Sequence, residues 1–210
     1  MPVKTRRKQI PASYYSRPEL DDPFNRTCWY IGLDQSSTDN GIAAYHKDTN
    51  TIYTTYFFCG KHDIELVERL YRLERFLESA ISALNPKRVY TEEVHPGNRH
   101  AYAVLLRVEM AIHSMLYRHY VPYSSISANV IQHDSWPAQL KLKGTKEHIR
   151  LALTNVADPT STEHELDAVG VLLGGLTRDG LFELELINKL KINRVEEANE
   201  FVSILGFAPS

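Results

Sequence analysis

Hydrophobic and polar positions alternate in short runs through the early part of the 210-residue chain and then recur at helical spacing. Trp29-Tyr30-Ile31-Gly32-Leu33-Asp34 is an apolar run ending in an acid. Gly41–His46 and Thr51–Phe58 are rich in β-branched and aromatic residues, with Asp48-Thr49-Asn50 as the turn between them. These three segments predict an antiparallel meander. From Asp63 to Leu84, Leu66, Leu70, Leu73, Leu77 and Leu84 keep helical spacing until Asn85-Pro86 stops the helix. Arg88–Val94 reads as a fourth strand with acids near its end. Arg99–Tyr120 is apolar on two faces. Ala103, Leu106, Met110, His113 and Tyr117 line one, and Val104, Val108, Ala111 and Met115 the other. Such a helix is either central to the core or part of a subunit contact. Val121–Ser127 predicts a fifth strand, and Thr145 caps a helix running to Asn155 that Asp158-Pro159 breaks. Ser161 or Thr162 caps Glu163–Leu176, and Leu181–Lys191 and Val195–Leu205 predict C-terminal helices. The order describes an α/β class: a mixed five-stranded sheet flanked by helices.

Residues 1–27 hold Pro2, Pro11, Pro18 and Pro23 and no periodic apolar pattern, so they read as a basic N-terminal extension carrying Lys4, Arg6, Arg7 and Lys8. That segment lacks the apolar run of a secretory signal, and its prolines interrupt the amphipathic helix of a transit peptide. The organisation expected is this extension, one domain over residues 28–177, and a helical extension over 178–210. Hydrophobic residues make up 43% and charged residues 24%, ordinary for a soluble globular chain. No apolar run approaches a membrane span, which argues against a membrane partner. Cys28 and Cys59 form no CxxC pair, which disfavours a disulfide scaffold or a cysteine-ligated zinc and fits a reducing, cytoplasmic setting. The net charge of −2 counts against nucleic-acid binding, but charge is unevenly spread. Lys141, Lys143, Lys146 and Arg150 form a second basic stretch, which permits a local DNA-facing patch on an otherwise acidic protein.

Acids and a histidine collect at element ends. Asp34 closes the first strand, Glu92 and Glu93 lie on the fourth, and His164 and Asp167 lie in the first turns of a late helix. The i,i+3 spacing puts His164 and Asp167 on one helical face, roughly 5–6 Å apart at Cβ. Each feature alone has a plainer explanation: a turn residue, a solvated strand end, an acidic first turn favoured by the helix dipole. Together they place carboxylates from different elements where they repel unless something positive sits between them. Mg²⁺ or Mn²⁺ meets that need, since both take hard oxygen ligands and His also suits Mn²⁺.

The residues of these segments carry a resemblance. Gly32-Leu33-Asp34-Gln35-Ser36-Ser37, with Gly41 seven residues after Asp34, resembles the first strand and turn of RuvC-type Holliday-junction resolvases. Tyr90-Thr91-Glu92-Glu93-Val94 is similar to the family's second acidic strand, with Glu92 at the ligand position. Strand alternation turns Glu93 to the opposite face. His164-Glu165-Leu166-Asp167-Ala168 resembles the last motif, and Leu142-Lys143-Gly144-Thr145-Lys146 the basic segment before the third helix. The resemblance runs from about residue 29 to 176. It implies a ribonuclease H-like fold and an endonuclease that nicks four-way or other branched DNA. It further implies two metal ions (Mg²⁺ or Mn²⁺) held by Asp34, Glu92, His164 and Asp167, with Lys141, Lys143 and Lys146 on DNA phosphates and a homodimer through helix 99–120. Gln35-Ser36 stands where bacterial members have Pro-Gly, and His95-Pro96-Gly97-Asn98 where an aromatic wedge is expected, with His95 or Tyr102 as substitutes. These departures fit a divergent member, such as a virus-borne one.

Two other readings stay open at this level. Asp34 to Gly41 also fits the phosphate loop of an actin-like ATPase, although 210 residues are few for that duplicated fold. A catalytically silent junction-binding protein on the same scaffold is the other, against which the intact acid set argues.

Overall fold

In the computed structural model, residues 26–94, 99–128, 135–141, 153 and 157–206 are described. The strands are β1 (Trp29–Asp34), β2 (Asp39–His46), β3 (Thr51–Phe58), β4 (Arg88–Glu92), β5 (Tyr123–Ile126) and β6 (Lys191–Arg194). The helices are α1 (Leu66–Leu84), α2 (Arg99–Arg118), the short α3 (Trp136–Gln139), α4 (Glu163–Arg178) and α5 (Ala198–Gly206), with a 3-10 turn at Leu184–Lys189. They build one sheet in the order β5-β4-β1-β2-β3-β6. β1, β2 and β3 form the antiparallel meander, while β4 on β1, β5 on β4 and β6 on β3 run parallel.

Side-chain alternation along β1 divides the core into two layers. Trp29, Ile31 and Leu33 face one layer, where Leu73, Leu77 and Ile81 of α1, Val108, Ile112 and Met115 of α2, and Phe201 and Leu205 of α5 pack. Tyr30 faces the other layer, filled by Leu166, Val169, Leu172, Leu173 and Leu176 of α4 with Trp136. The same alternation sends Asp34 to the α4 side.

Two expectations need correction. The sheet has six strands rather than five, and the segment expected as a helix over Leu181–Lys191 is a 3-10 turn that leads into β6. The apolar spacing of Leu184, Ile187 and Leu190 imitates a helix, but the open edge of β3 offers backbone partners: Lys191–Arg194 pair with Thr51–Thr54. The C-terminal residues thus complete the sheet and the core rather than forming a purely helical extension. The helix expected from Thr145 to Asn155 lies outside the described residues except for Leu153, which is helical and buried.

Helix α2 shows which of its two apolar faces serves the fold. Val108, Ile112, Met115 and Leu116 are buried, whereas Leu106, Met110 and Tyr117 are exposed, Met110 by 64%. The buried side also carries a polar network against the far face of β4. Thr91 Oγ1 meets His113 Nε2 at 3.1 Å and Ser125 Oγ at 3.0 Å, and Ser125 donates to Glu109 Oε1 at 3.3 Å. Burial pushes the Glu109 carboxyl up to about 7, with the Glu93 charge adding to it and the Ser125 hydrogen bond opposing. Burial likewise lowers His113 to about 4.

This has a pH signature. Below about pH 4.5 the Glu109 carboxyl is protonated in both folded and unfolded chains and costs nothing. As pH rises from there to about 7 the unfolded chain releases the proton first, so stability falls, and the penalty is complete above that range. Glu109→Gln is therefore expected to stabilise the protein at pH 8 by on the order of 2–3 kcal/mol and to lose that advantage towards pH 4.5. Urea melts of parent and variant at both pH values check this, since His113 contributes equally to each; a pH-independent difference would contradict it.

Candidate active site

Three elements bring their ends together on the α4 side of the sheet. β1 delivers Asp34 at its last residue and β4, parallel beside it, delivers Glu92 at its own. α4 crosses over them with Asp167 in its second turn, 0% exposed. One ligand atom from each of Asp34, Glu92 and Asp167 lies within 4.8 Å of the other two. Glu93 is exposed on the other side of β4, near Glu109.

The close approach of α4 depends on two glycines. A Cβ on Gly41 would lie 1.8 Å from the His164 carbonyl oxygen, and one on Gly32 would lie 2.5 Å from that of Ala168. Any side chain at either position would push the first turns of α4 off the sheet, and Asp167 with them. The helix start is itself fixed by a capping box. Thr162 accepts from the Glu165 backbone N–H at 3.2 Å, and Glu165 accepts from that of Thr162 at 2.7 Å. The Glu165 carboxylate is fully buried and paired with Arg194 of β6, whose Nε lies 3.1 Å from both its oxygens. The C-terminal strand thereby ties down the helix that carries Asp167.

His164 takes a place the i,i+3 spacing did not specify. Its Nδ1 lies 2.7 Å from Asp34 Oδ2, so it contacts a member of the carboxylate group without joining the group of three. The hydrogen bond to Asp34 holds the imidazole above its ordinary pKa, with the charges of Asp34, Asp39 and Asp167 adding to this and burial opposing it. Two neighbours escaped the sequence reading. Tyr56 donates a hydrogen bond to Asp39, and its ring centroid lies 6.3 Å from that of His164. Burial works to raise the Asp39 carboxyl, but the hydrogen bonds from Thr38 and Tyr56 and the charges of His164 and His62 outweigh it and hold it low.

The turn after Asp34 is also fixed by side chains. The Gln35 amide donates from Nε2 to the Glu92 carbonyl at 2.5 Å and accepts from the Glu92 N–H at 3.1 Å. Asn40 Oδ1 accepts from Ser36 N–H at 3.0 Å, and the buried Arg69 donates to the Ser37 carbonyl at 2.8 Å. Of the basic stretch, Lys141 is exposed with a left-handed φ of 53°, just after α3. α3 is anchored to α4 by Trp136, whose ring and backbone lie against Gly170 and Gly174. Lys143 and Lys146, like His95, lie outside the described residues.

No protein-family model and no curated protein matches the sequence. Solved structures do. RuvC of Thermus thermophilus, in complex with a Holliday junction substrate, matches with a TM-score of 0.57 at 16% identity, covering 73% of this chain and 97% of RuvC. A second Thermus thermophilus RuvC structure gives 0.50 at 18% identity with the same coverage. The chain has the RuvC fold. Shared with RuvC is the mixed α/β sheet flanked by helices that the sequence pattern implied. Likeness to RuvC at this identity concerns architecture.

Among the described residues, no helix is long and apolar enough to cross a membrane, and Cys28 and Cys59 are free thiols.

Proposed function

We propose that this protein is a metal-dependent endonuclease that nicks four-way or other branched DNA. The observation that carries the reading is the meeting of Asp34, Glu92 and Asp167 from three separate elements, on a fold shared with RuvC. Three oxygen donors this close repel one another in the low dielectric of a folded protein, and a hard divalent cation relieves that repulsion. The donor set therefore fits Mg²⁺ or Mn²⁺. Asp34, Glu92 and Asp167, with His164 as fourth ligand, would hold two such ions, which when bound would activate the attacking water and stabilise the leaving 3′-oxygen.

The chain's own groups supply the rest. Asp167 is held by a capped helix start, and Glu92 by the end of a strand paired on both sides. Their carboxylates are thus positioned before substrate arrives, which spares reorganisation during reaction. His164 steadies Asp34 through Nδ1 and has Nε2 for a ligand role, the common arrangement in which one ring nitrogen is held by a carboxylate. Lys141, with Lys143 and Lys146 following in sequence, supplies cations for backbone phosphates, which fix register without reading sequence.

The role of His164 can be tested by substitution. The imidazole must shed its proton to bind metal, so activity should fall as pH drops through its raised pKa. His164→Asp is expected to keep nicking and move that fall to lower pH, whereas His164→Ala should cost much more. Parent-like pH–rate profiles for the Ala variant would remove His164 from the site.

The reading includes a homodimer formed through α2, so that two sites nick opposite strands of a two-fold symmetric junction. Its support is the exposed apolar row Leu106, Met110 and Tyr117 on a helix whose other face is already buried. Met110→Asp is expected to give a monomer in light scattering with little change in thermal stability. Met115, on the other apolar face of α2, is 0% exposed and belongs to the core, so its substitution tests folding instead. A Met110→Asp variant that stays dimeric would move the contact elsewhere.

Substrate choice tests the function itself. Labelled four-way junction, linear duplex and RNA–DNA hybrid are each incubated with the protein and Mg²⁺. Paired nicks confined to the junction are expected; equal cutting of linear duplex or of the hybrid would overturn the reading.

A further inference from the structure

We propose that Gln35 is a positioning residue that sets the Glu92 carboxylate opposite Asp34, an inference that rests on the metal-dependent reading above. The backbone pairing of β1 with β4 ends at Leu33 opposite Thr91. In a parallel pair, the N–H and C=O of one residue point to the same neighbour. Just past β4 those of Glu93 turn towards β5, where its N–H reaches the Ile126 carbonyl at 2.9 Å. Those of Glu92 turn towards β1, which has by then bent into the turn after Asp34. The backbone ladder with β1 ends there, and the hydrogen bonds made to the Glu92 peptide groups fix how the end of β4 sits.

Gln35 meets both groups. A carboxamide carries the same donor and acceptor as a peptide unit, and its two bonds at 2.5 and 3.1 Å add one more rung to the sheet from a side chain. The residue is only 8% exposed, and the turn behind it is fixed by Asn40 on Ser36 and by Arg69 on Ser37. Gln35 therefore couples the residue after one carboxylate ligand to the backbone of another. The proline usual at this place in bacterial members of the resembled family has no side-chain amide with which to do this. In this chain the Asp34–Glu92 spacing is set by a side chain.

The test is a double-mutant cycle read by Mn²⁺ binding, with electron paramagnetic resonance counting free ion. Gln35→Ala should weaken Mn²⁺ binding about tenfold, the usual scale for groups that orient metal ligands. In a Glu92→Gln background the same change should have almost no further effect, because it acts through Glu92. An affinity unchanged by Gln35→Ala, or a loss undiminished beside Glu92→Gln, overturns the proposal. Hydrogen exchange at the Glu92 amide gives a second reading that needs no metal. It should quicken at least tenfold in Gln35→Ala while amides of α1 stay as in the parent, and unchanged protection equally overturns the proposal. A parent that shows no Mn²⁺ binding dependent on Asp34 would instead defeat the nuclease reading, and the positioning role with it, whatever the exchange experiment shows of the hydrogen bonds.

Discussion

Asp34→Asn is expected to abolish nicking of a four-way junction and to leave binding of that junction largely intact. The substitution keeps the shape of the side chain and an oxygen that can still accept from His164, so the fold around β1 should persist. What it removes is one negative charge from a set of three carboxylates within 4.8 Å. A metal at a reacting phosphate supplies several kcal/mol of transition-state stabilisation, so its loss should slow cleavage by roughly a thousandfold or more. On the proposed function, DNA affinity would come mainly from phosphate contacts made elsewhere, and fewer acids at the site should favour a polyanion. Gel-shift and single-turnover cleavage on one preparation separate the two effects. Activity within about tenfold of the parent would remove Asp34 from the chemistry.

Glu92, the last residue of β4, and Glu93, directly after it, should respond in opposite ways. Thr91 faces α2, where it meets His113, and a strand turns successive side chains to opposite faces. Glu92 therefore shares the α4 side with Asp34 and Asp167, while Glu93 looks back towards Glu109. Glu92→Gln should eliminate nicking, on the scale expected for Asp34→Asn. Glu93→Gln should leave most of the activity. Single-turnover rates for the two variants decide it, and the reverse order would place the wrong residue of this strand at the metals.

These two expectations could be written from the sequence because each element involved carries its own pattern. The apolar run Trp29–Leu33 ends on its acid, the leucines of α1 repeat at helical spacing, and Thr162 with Glu165 announces the start of α4. Local signals of this kind survive in one dimension. β6 had none: Lys191–Arg194 is held by pairing along the edge of β3, a property of the folded sheet. The same holds around the site. Gln35 reaches Glu92 across 57 positions, Tyr56 reaches Asp39 across 17, and Arg194 reaches Glu165 across 29. No periodicity records such contacts, so the ligand candidates were legible and the groups that hold them were not. The position of His164 shows the same limit, since spacing put it beside Asp167 and only the fold put its ring on Asp34.

Metal dependence on a branched substrate decides whether the protein is a metal-dependent nuclease. The protein is stripped with chelator, dialysed, mixed in excess with labelled four-way junction, and followed through a Mg²⁺ titration. No nicking is expected without the ion, full recovery on adding it, and none at any concentration for Asp34→Asn. Nicking that proceeds at the same rate in chelator, or that Asp34→Asn retains, would contradict that function.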